Sequence, residues 1–424
     1  MHPQTLTYPI KRSTPWRYPL HPDLARSTRL MKRVYAIVIT LSLGAVCCSR
    51  LTQPLEPSQT EPAGTTPTTE LTAGTMAAPP SQATVISSQP TTLSADLDEA
   101  AGRRARLEAV SHWFYYLGFE PDSETLDKLV ASTYDMVVIE PLVTEQENTG
   151  FPIADLVARL HDAPHPKLVM AYIDIGQAEE WRTYWQPGWQ IGDPDWIIAV
   201  DPDGWEGNYP VAYWREEWRE IWLGQGGYLP ILLEAGFDGV YLDWIEAYSD
   251  ENVVEAAEEQ GVDPVEAMKR WVADLADFGR DRDPGFIVIA QNAAELAEHE
   301  DYLSVIDAIA QEQTWFDGGA DNRPPGDCPL PRTESEVDSE EYAESLSPPC
   351  RRQYEQYPES TLHVSSEWYL HYLALARHKG TIIFTVDYAL DPENVSWVYR
   401  TARGLGFIPF VSERELSIYL EPVP

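Results

Sequence analysis

The chain has 424 residues, with 68 acidic side chains against 30 basic ones and a formal net charge of −38. Phosphate recognition needs clustered Lys and Arg, so this balance argues against nucleic acid as a partner. At 43% hydrophobic and 11% aromatic residues the chain can bury a large core, which excludes wholesale disorder.

The N-terminal fifty residues reverse the charge balance, with eight basic side chains and one acidic. Met31-Lys32-Arg33 leads an apolar run, Val34 to Val46, closed by Cys47-Cys48-Ser49. A charged start, roughly a dozen apolar residues and small residues beyond make an export signal, and the run is too short to span a membrane comfortably. Cys47 or Cys48 stands where a bacterial lipoprotein receives its lipid. The expectation is an exported protein, extracellular or held at the cell surface, with the membrane as a partner through that anchor. Residues 51–95, rich in Thr, Ser, Pro and Ala, read as a flexible tether. Residues 96–424 then form the working domain.

Within that domain, strands are predicted at His112–Leu117, Asp135–Pro141, Lys167–Asp174, Val211–Trp214, Phe237–Asp243, Phe286–Asn292, Ile306–Glu312 and Thr381–Asp387. Most are continuous apolar runs without alternation, as parallel strands buried on both faces require. Helices fall between them. Asp263-Pro264-Val265-Glu266 carries a capping box with Pro in the first turn; Val265, Met268, Val272 and Leu275 follow at helical spacing, with Gly279 as the stop. Two more helices are expected from Ser366 to Gly380 and from Asp391-Pro392 to Gly404. Eight strands alternating with helices predict a (β/α)8 TIM barrel. A doubly wound open sheet is the alternative, and no GxGxxG or Walker-type loop follows any strand to support it.

Barrel active sites are built at the C-terminal ends of the strands. The last polar residues of the predicted strands are Glu140, Asp174, Asp243, Asn292, Glu312 and Asp387, and Tyr115, Tyr172, Trp244, Trp315 and Tyr388 accompany them. Carboxylates with flat rings suit carbohydrate, and the acidity suits a cationic amino sugar as readily as it makes a soluble surface. Cleavage of a glycosidic bond needs one protonated and one ionised carboxyl. Asp243 and Glu312 each close an apolar run, which would hold them rigidly at the mouth. Asp238, at the start of its strand, reads as structural. Calcium held by carboxylates is a rival, without a DxDxDG loop or paired His to support it. Neither a metal nor a cofactor is expected. Cys328 and Cys350, in one Pro-rich acidic segment, are expected to form a local disulfide.

Gly236-Phe237-Asp238-Gly239-Val240-Tyr241-Leu242-Asp243 resembles the central signature of the endo-α-1,4-polygalactosaminidase-like proteins, the glycoside hydrolase family 114 type. Val169 to Gly176 with Glu180-Trp181-Arg182, Gln291-Asn292, Gln311-Glu312-Gln313 and Val386-Asp387-Tyr388 are similar to further pieces of that family, in order, from about Trp113 to Ser417. The resemblance implies an exported TIM-barrel glycoside hydrolase acting on α-1,4-linked galactosamine, with Asp243 as nucleophile and Glu312 as general acid/base in a retaining mechanism. The family's Asn after the catalytic Asp is Trp244 here, its next acid is Glu246, and a Lys often found before Asn292 is Gln291. These departures leave a non-catalytic carbohydrate-binding barrel as the alternative.

Overall fold

The computed structural model describes residues 91–118, 123–202, 204–318, 327–358 and 360–424. The export segment, Cys47, Cys48 and residues 51–90 of the tether lie outside the described residues. Residues 91–95 belong to a helix, Thr91–Glu108, that runs on into the domain.

Ten strands follow: β1 (Trp113–Tyr116), β2 (Met136–Ile139), β3 (Leu168–Asp174), β4 (Gln177–Glu179), β5 (Asn208–Pro210), β6 (Gly239–Asp243), β7 (Ile287–Gln291), β8 (Ala308–Glu312), β9 (Ile382–Tyr388) and β10 (Ile408–Ser412). Eight of them make one sheet in the order β1-β2-β3-β6-β7-β8-β9-β10, parallel throughout, and β4 and β5 pair antiparallel beside it. The two ends of the sheet meet: the Trp113 indole donates to the Ile408 carbonyl at 3.0 Å and the Leu117 amide to the Leu416 carbonyl at 2.9 Å. Helices cover the outside, and the architecture is a (β/α)8 barrel. Its interior is aromatic, with Trp113 against Phe384 and Phe410, and Tyr115 against Tyr241 at 4.8 Å between ring centroids.

Two strand assignments change. Val211–Trp214 is not a barrel strand: the Val211 amide bonds the Gly176 carbonyl and the Ala212 amide the Trp196 carbonyl, in a buried excursion between β3 and β6. Full burial of Val211, Ala212 and Tyr213 gives the same apolar signal as a two-faced strand. The eighth barrel strand is β10 instead, masked in the sequence by Pro409; Pro is tolerated in an edge strand, and β10 ends the hydrogen-bonded order. Asp243, Gln291 with Asn292, Glu312 and Asp387 therefore close the fourth, fifth, sixth and seventh barrel strands rather than the fifth to eighth.

The bottom of the barrel is tied by aspartates that precede strands. Asp135 accepts the Ser111 and His112 amides, Asp238 the Val169 amide, and Asp307 the Val288 amide, each at the start of the neighbouring strand. Helix Thr91–Glu108 joins this layer, since Arg103 pairs with Asp307 at 2.9 Å and Arg106 with Asp238. This gives Asp238 the structural place expected of it. In the same signature Gly239 is required by packing, because a Cβ there would sit 2.0 Å from the Ile287 carbonyl oxygen.

The Asp263 carboxylate caps helix Pro264–Arg280 through the Glu266 amide, as read. Gly279 does not stop that helix but lies inside it, where a Cβ would collide with the Phe286 ring. Likewise the last helix, Pro392–Leu405, passes Gly404 and ends at Gly406, whose φ is 76°. Between β8 and β9 an insertion builds its own small core around the Cys328–Cys350 disulfide, with Leu330, Tyr342, Leu346 and Leu362.

Candidate active site

At the C-terminal mouth of the barrel lies a cavity of about 420 Å³. Asp243 and Glu312 both line it, from the ends of β6 and β8. One Asp243 oxygen accepts the Tyr172 hydroxyl at 2.5 Å, and the other accepts the Trp244 amide at 2.8 Å. Glu312 is held from two sides: Tyr388 donates to one oxygen, while Gln291 and Asn292, the latter at 3.1 Å, donate to the other. Tyr115 lies beneath, its hydroxyl donating to the Gln291 amide oxygen at 3.2 Å.

Asn292 is the hub of this arrangement. Its amide oxygen accepts the Glu312 backbone N–H at 3.0 Å and the Gln311 side chain at 3.1 Å. Its NH2 group donates to both Glu312 and Glu246, at 3.1 and 3.0 Å. All four of its hydrogen-bonding positions are thus used, and it orients carboxylates rather than offering itself to a ligand. The backbone contributes as well. Trp244, Asn292 and Gln313, each the first residue beyond β6, β7 or β8, have φ of 58°, 58° and 51°. Left-handed backbone at a non-glycine residue costs about 1–2 kcal/mol and gathers at functional sites. Gly176 makes room for the first of these turns, since a Cβ there would lie 2.3 Å from the Trp244 carbonyl oxygen.

The charges interact. Burial, and then the negative charge of Glu312, push the Asp243 carboxyl up to about 7. Glu246 is also raised well above the carboxylate range, by burial and by Asp243. Among the described residues, seven carboxylates line the cavity against one cationic side chain, Arg414, whose guanidinium bonds Asp317 at 3.3 Å. Among the described residues no group of three or more His, Cys, Asp or Glu is arranged to hold a metal ion.

The cavity lining also includes Tyr115, Glu140, Tyr172, Trp244, Asn292 and Tyr388. Glu140, however, is engaged by Arg182 and is 6% exposed. Three residues expected to bind substrate lie elsewhere. Asp174 is buried and turned onto the Gly176 and Gln177 amides at 3.0 and 2.8 Å. Asp387, one residue before Tyr388, faces the other side of β9, where it accepts the Trp315 and Phe316 amides at 2.7 and 3.0 Å. Trp315 packs edge-on against Trp397, lining a different hollow between the insertion and the last helix. In their place the mouth takes Glu179, Trp181 and Trp205 from the β3–β6 excursion, and Thr361, Trp368 and Tyr369 from the insertion side. Loop residues with no spacing pattern leave no signal in a sequence; Glu246, three residues past Asp243, was the exception in plain view.

Asp387 carries a stability prediction. Burial pushes its carboxyl up to about 7 despite the two amides, and its second oxygen has no partner. A carboxyl that binds its proton more tightly folded than unfolded stabilises fully below the unfolded value of 3.8, and that contribution is lost as pH rises to about 7. The loss is up to about 4 kcal/mol. Asp387→Asn, which resembles the protonated form, should flatten part of the decline in urea-unfolding free energy between pH 5 and 8. An unchanged slope would show that Asp387 stays ionised in the fold.

A family model described as glycoside-hydrolase family GH114 matches residues 97–422. An uncharacterised protein of Deinococcus radiodurans is 31% identical over 316 residues, which is 74% of this chain and 84% of the relative. One from Thermotoga maritima is 28% identical over 261 residues, 59% of this chain and 66% of the relative. Among solved structures, the glycoside hydrolase domain of PelA from Pseudomonas aeruginosa is 18% identical, with a TM-score of 0.46, covering 74% of this chain and 98% of that one. Aspergillus fumigatus Ega3, in complex with galactosamine, is 14% identical with a TM-score of 0.47, covering 74% and 96%.

Proposed function

The chain belongs to glycoside-hydrolase family GH114, and from that premise we propose that this glycoside hydrolase is exported and cleaves an amino-sugar polysaccharide, α-1,4-linked galactosamine, by a retaining two-carboxylate mechanism. The observation that carries the reading is the coupled pair Asp243 and Glu312 on one cavity. Burial, and then the charge of Glu312, push the Asp243 carboxyl up to about 7, so the pair keeps a proton where two isolated surface carboxyls would have none. One proton between two carboxyls is what the chemistry requires: one group protonates the departing oxygen while the other attacks the anomeric carbon.

In the proposed assignment the pair's one proton passes from Asp243 to Glu312 as substrate binds, so that ionised Asp243 attacks to form the glycosyl-enzyme while Glu312 gives that proton to the leaving oxygen and then activates water. Tyr172, bonded to Asp243, holds the nucleophile's orientation; Tyr388, Gln291 and Asn292 do the same for Glu312. The carboxylate-rich lining favours a polycation, and Trp181, Trp205 and Trp368 offer ring faces to sugar rings. Export rests on the Met31–Ser49 signal, with Cys47 or Cys48 as the lipidation site.

The test is to incubate residues 91–424 with deacetylated and acetylated galactosaminan and glucosaminan, and to follow oligosaccharide release by mass spectrometry. Release from deacetylated galactosaminan and not from the other three is expected. Release from one of the others alone would overturn the substrate. Silence on all four from folded protein would favour a barrel that binds carbohydrate without cutting it.

A further inference from the structure

Resting on the reading of this cavity as a polysaccharide-cleaving site, we propose that Asp317 is a positioning residue for the polymer: it fastens the disulfide-tied core of the insertion to two edges of the cavity. Asp317 stands five residues beyond the end of β8, is 1% exposed and does not itself line the cavity. Its backbone N–H donates to the Cys328 carbonyl at 2.9 Å. Its Oδ1 accepts the Gln353 amide at 2.9 Å and the Arg414 guanidinium at 3.3 Å. Its Oδ2 accepts the Thr361 and Ser360 hydroxyls, the latter at 3.4 Å.

These partners lead to different parts of the protein. Cys328 is one half of the disulfide, and Gln353 lies about one turn past Cys350 in helix Pro348–Gln356. Asp317 therefore holds both sides of the cross-link. Thr361 lines the cavity, and its neighbour Leu362 packs in the disulfide core with Tyr369. Tyr369 and Trp368, in helix Ser366–His378, line the cavity as well, and Trp368 packs against the same core. Arg414 lines the cavity from a separate segment, two residues past β10, with Glu415 and Leu416 beside it.

A desolvated carboxylate must keep its donors, so one that joins several chain segments makes a stiff node between them. Side chains that meet a ligand hold their places only as well as the packing and hydrogen bonds behind them. Asp243 and Glu312 have their own fastening, from Tyr172, Tyr388, Gln291 and Asn292 at the ends of barrel strands. The edges at Thr361, Trp368 and Arg414 come instead from the insertion and from the segment after β10. Cutting the node should therefore loosen the grip on the polymer and spare the bond-breaking step.

Steady-state kinetics on deacetylated galactosaminan and hydrogen-exchange mass spectrometry test this on three variants: Asp317→Ala, Cys328→Ala with Cys350→Ala, and the two combined. Asp317→Ala and the cysteine variant should each raise KM about 10-fold, the order of one charge-assisted hydrogen bond, with kcat within about 2-fold of the parent. Combined, they should do no worse than Asp317→Ala alone, because the link is then already cut. Asp317→Asn keeps the shape and an acceptor but loses the charge that faces Arg414. It should recover part of the KM, and it stands in for alanine where the alanine variant unfolds. Amide exchange should quicken in each variant at residues 360–369 and at residues 413–417, with β6 and β8 unchanged. Additive effects on KM, a fall in kcat at constant KM, or quickened exchange confined to the insertion would each overturn the inference. If the parent does not cleave that polymer, the substrate reading falls alone, and the exchange patterns still decide the inference.

Discussion

Asp243→Asn and Glu312→Gln are each expected to lower kcat on a cleavable galactosaminan by at least about 10³-fold with the fold intact. Both amides fit where the carboxylates sit. Asn at 243 can still accept the Trp244 amide, and its NH2 can donate to Tyr172, whose hydroxyl accepts as readily as it donates. Gln at 312 can keep its oxygen toward Gln291 and Asn292 and turn its NH2 to Tyr388. What each variant loses is an ionisable group. The pH dependence of the parent follows from the same pair: kcat/KM should fall above an apparent pKa near 7, as the pair gives up the one proton it holds, no general acid is left, and two negative charges face the substrate. In Glu312→Gln one upward influence on Asp243 is gone, so residual activity should show Asp243 titrating lower than in the parent, with burial still holding it up. Azide separates the roles. With Asp243 removed by Asp243→Gly, azide attacking from the vacated side gives a glycosyl azide of inverted configuration. With Glu312 disabled, azide attacks the glycosyl-enzyme and gives retained configuration. The opposite pattern would exchange the two roles, and wild-type rates in either amide variant would end the assignment of the pair.

The barrel was readable because parallel strands buried on both faces leave unbroken apolar runs, and seven of the eight barrel strands did so. The eighth was hidden by Pro409, and Val211–Trp214 took its place because a buried loop and a buried strand look alike over four residues. Strand ends located Asp243 and Glu312, whose side chains continue straight into the mouth. The same reasoning misplaced Asp387, because Tyr388 is the residue of β9 that faces the cavity and its neighbour must face away. It misplaced Asp174 because that carboxylate is spent on turning the chain at Gly176 and Gln177. Trp315 lies beyond the left-handed Gln313, which carries the chain out of the mouth and onto Trp397. Glu179, Trp181, Trp205 and Trp368 come to the cavity only through the folding of long excursions, which no local pattern records.

Arg182→Met should be the most destabilising single change at the mouth, by about 3–5 kcal/mol near neutral pH. The guanidinium is 2% exposed as a residue and bonds Glu140 and Thr144 through Nη1, the latter at 2.8 Å, and Glu179 through Nε and Nη2 at 2.6 and 3.0 Å. Two carboxylates, one just past β2 and one at the end of β4, are thereby gathered onto one cation beneath the cavity wall. Burial already outweighs the arginine at Glu140, whose carboxyl is pushed up to about 7. Without Arg182 nothing opposes that burial, so at neutral pH the variant must either keep two unpaired buried charges or take up protons to remove them. The deficit should therefore shrink at pH 5, where protonation costs less, and urea unfolding at the two pH values reads it directly. Adding Glu140→Gln and Glu179→Gln to Arg182→Met should recover much of the loss, because the cost lies in the stranded charges rather than in the missing attraction. A deficit independent of pH, or one the two glutamines do not relieve, would locate the cost in packing instead. Arg182→Lys offers one ammonium in place of a planar fork and cannot bond both glutamates as Arg182 does, so it should restore only part of the stability.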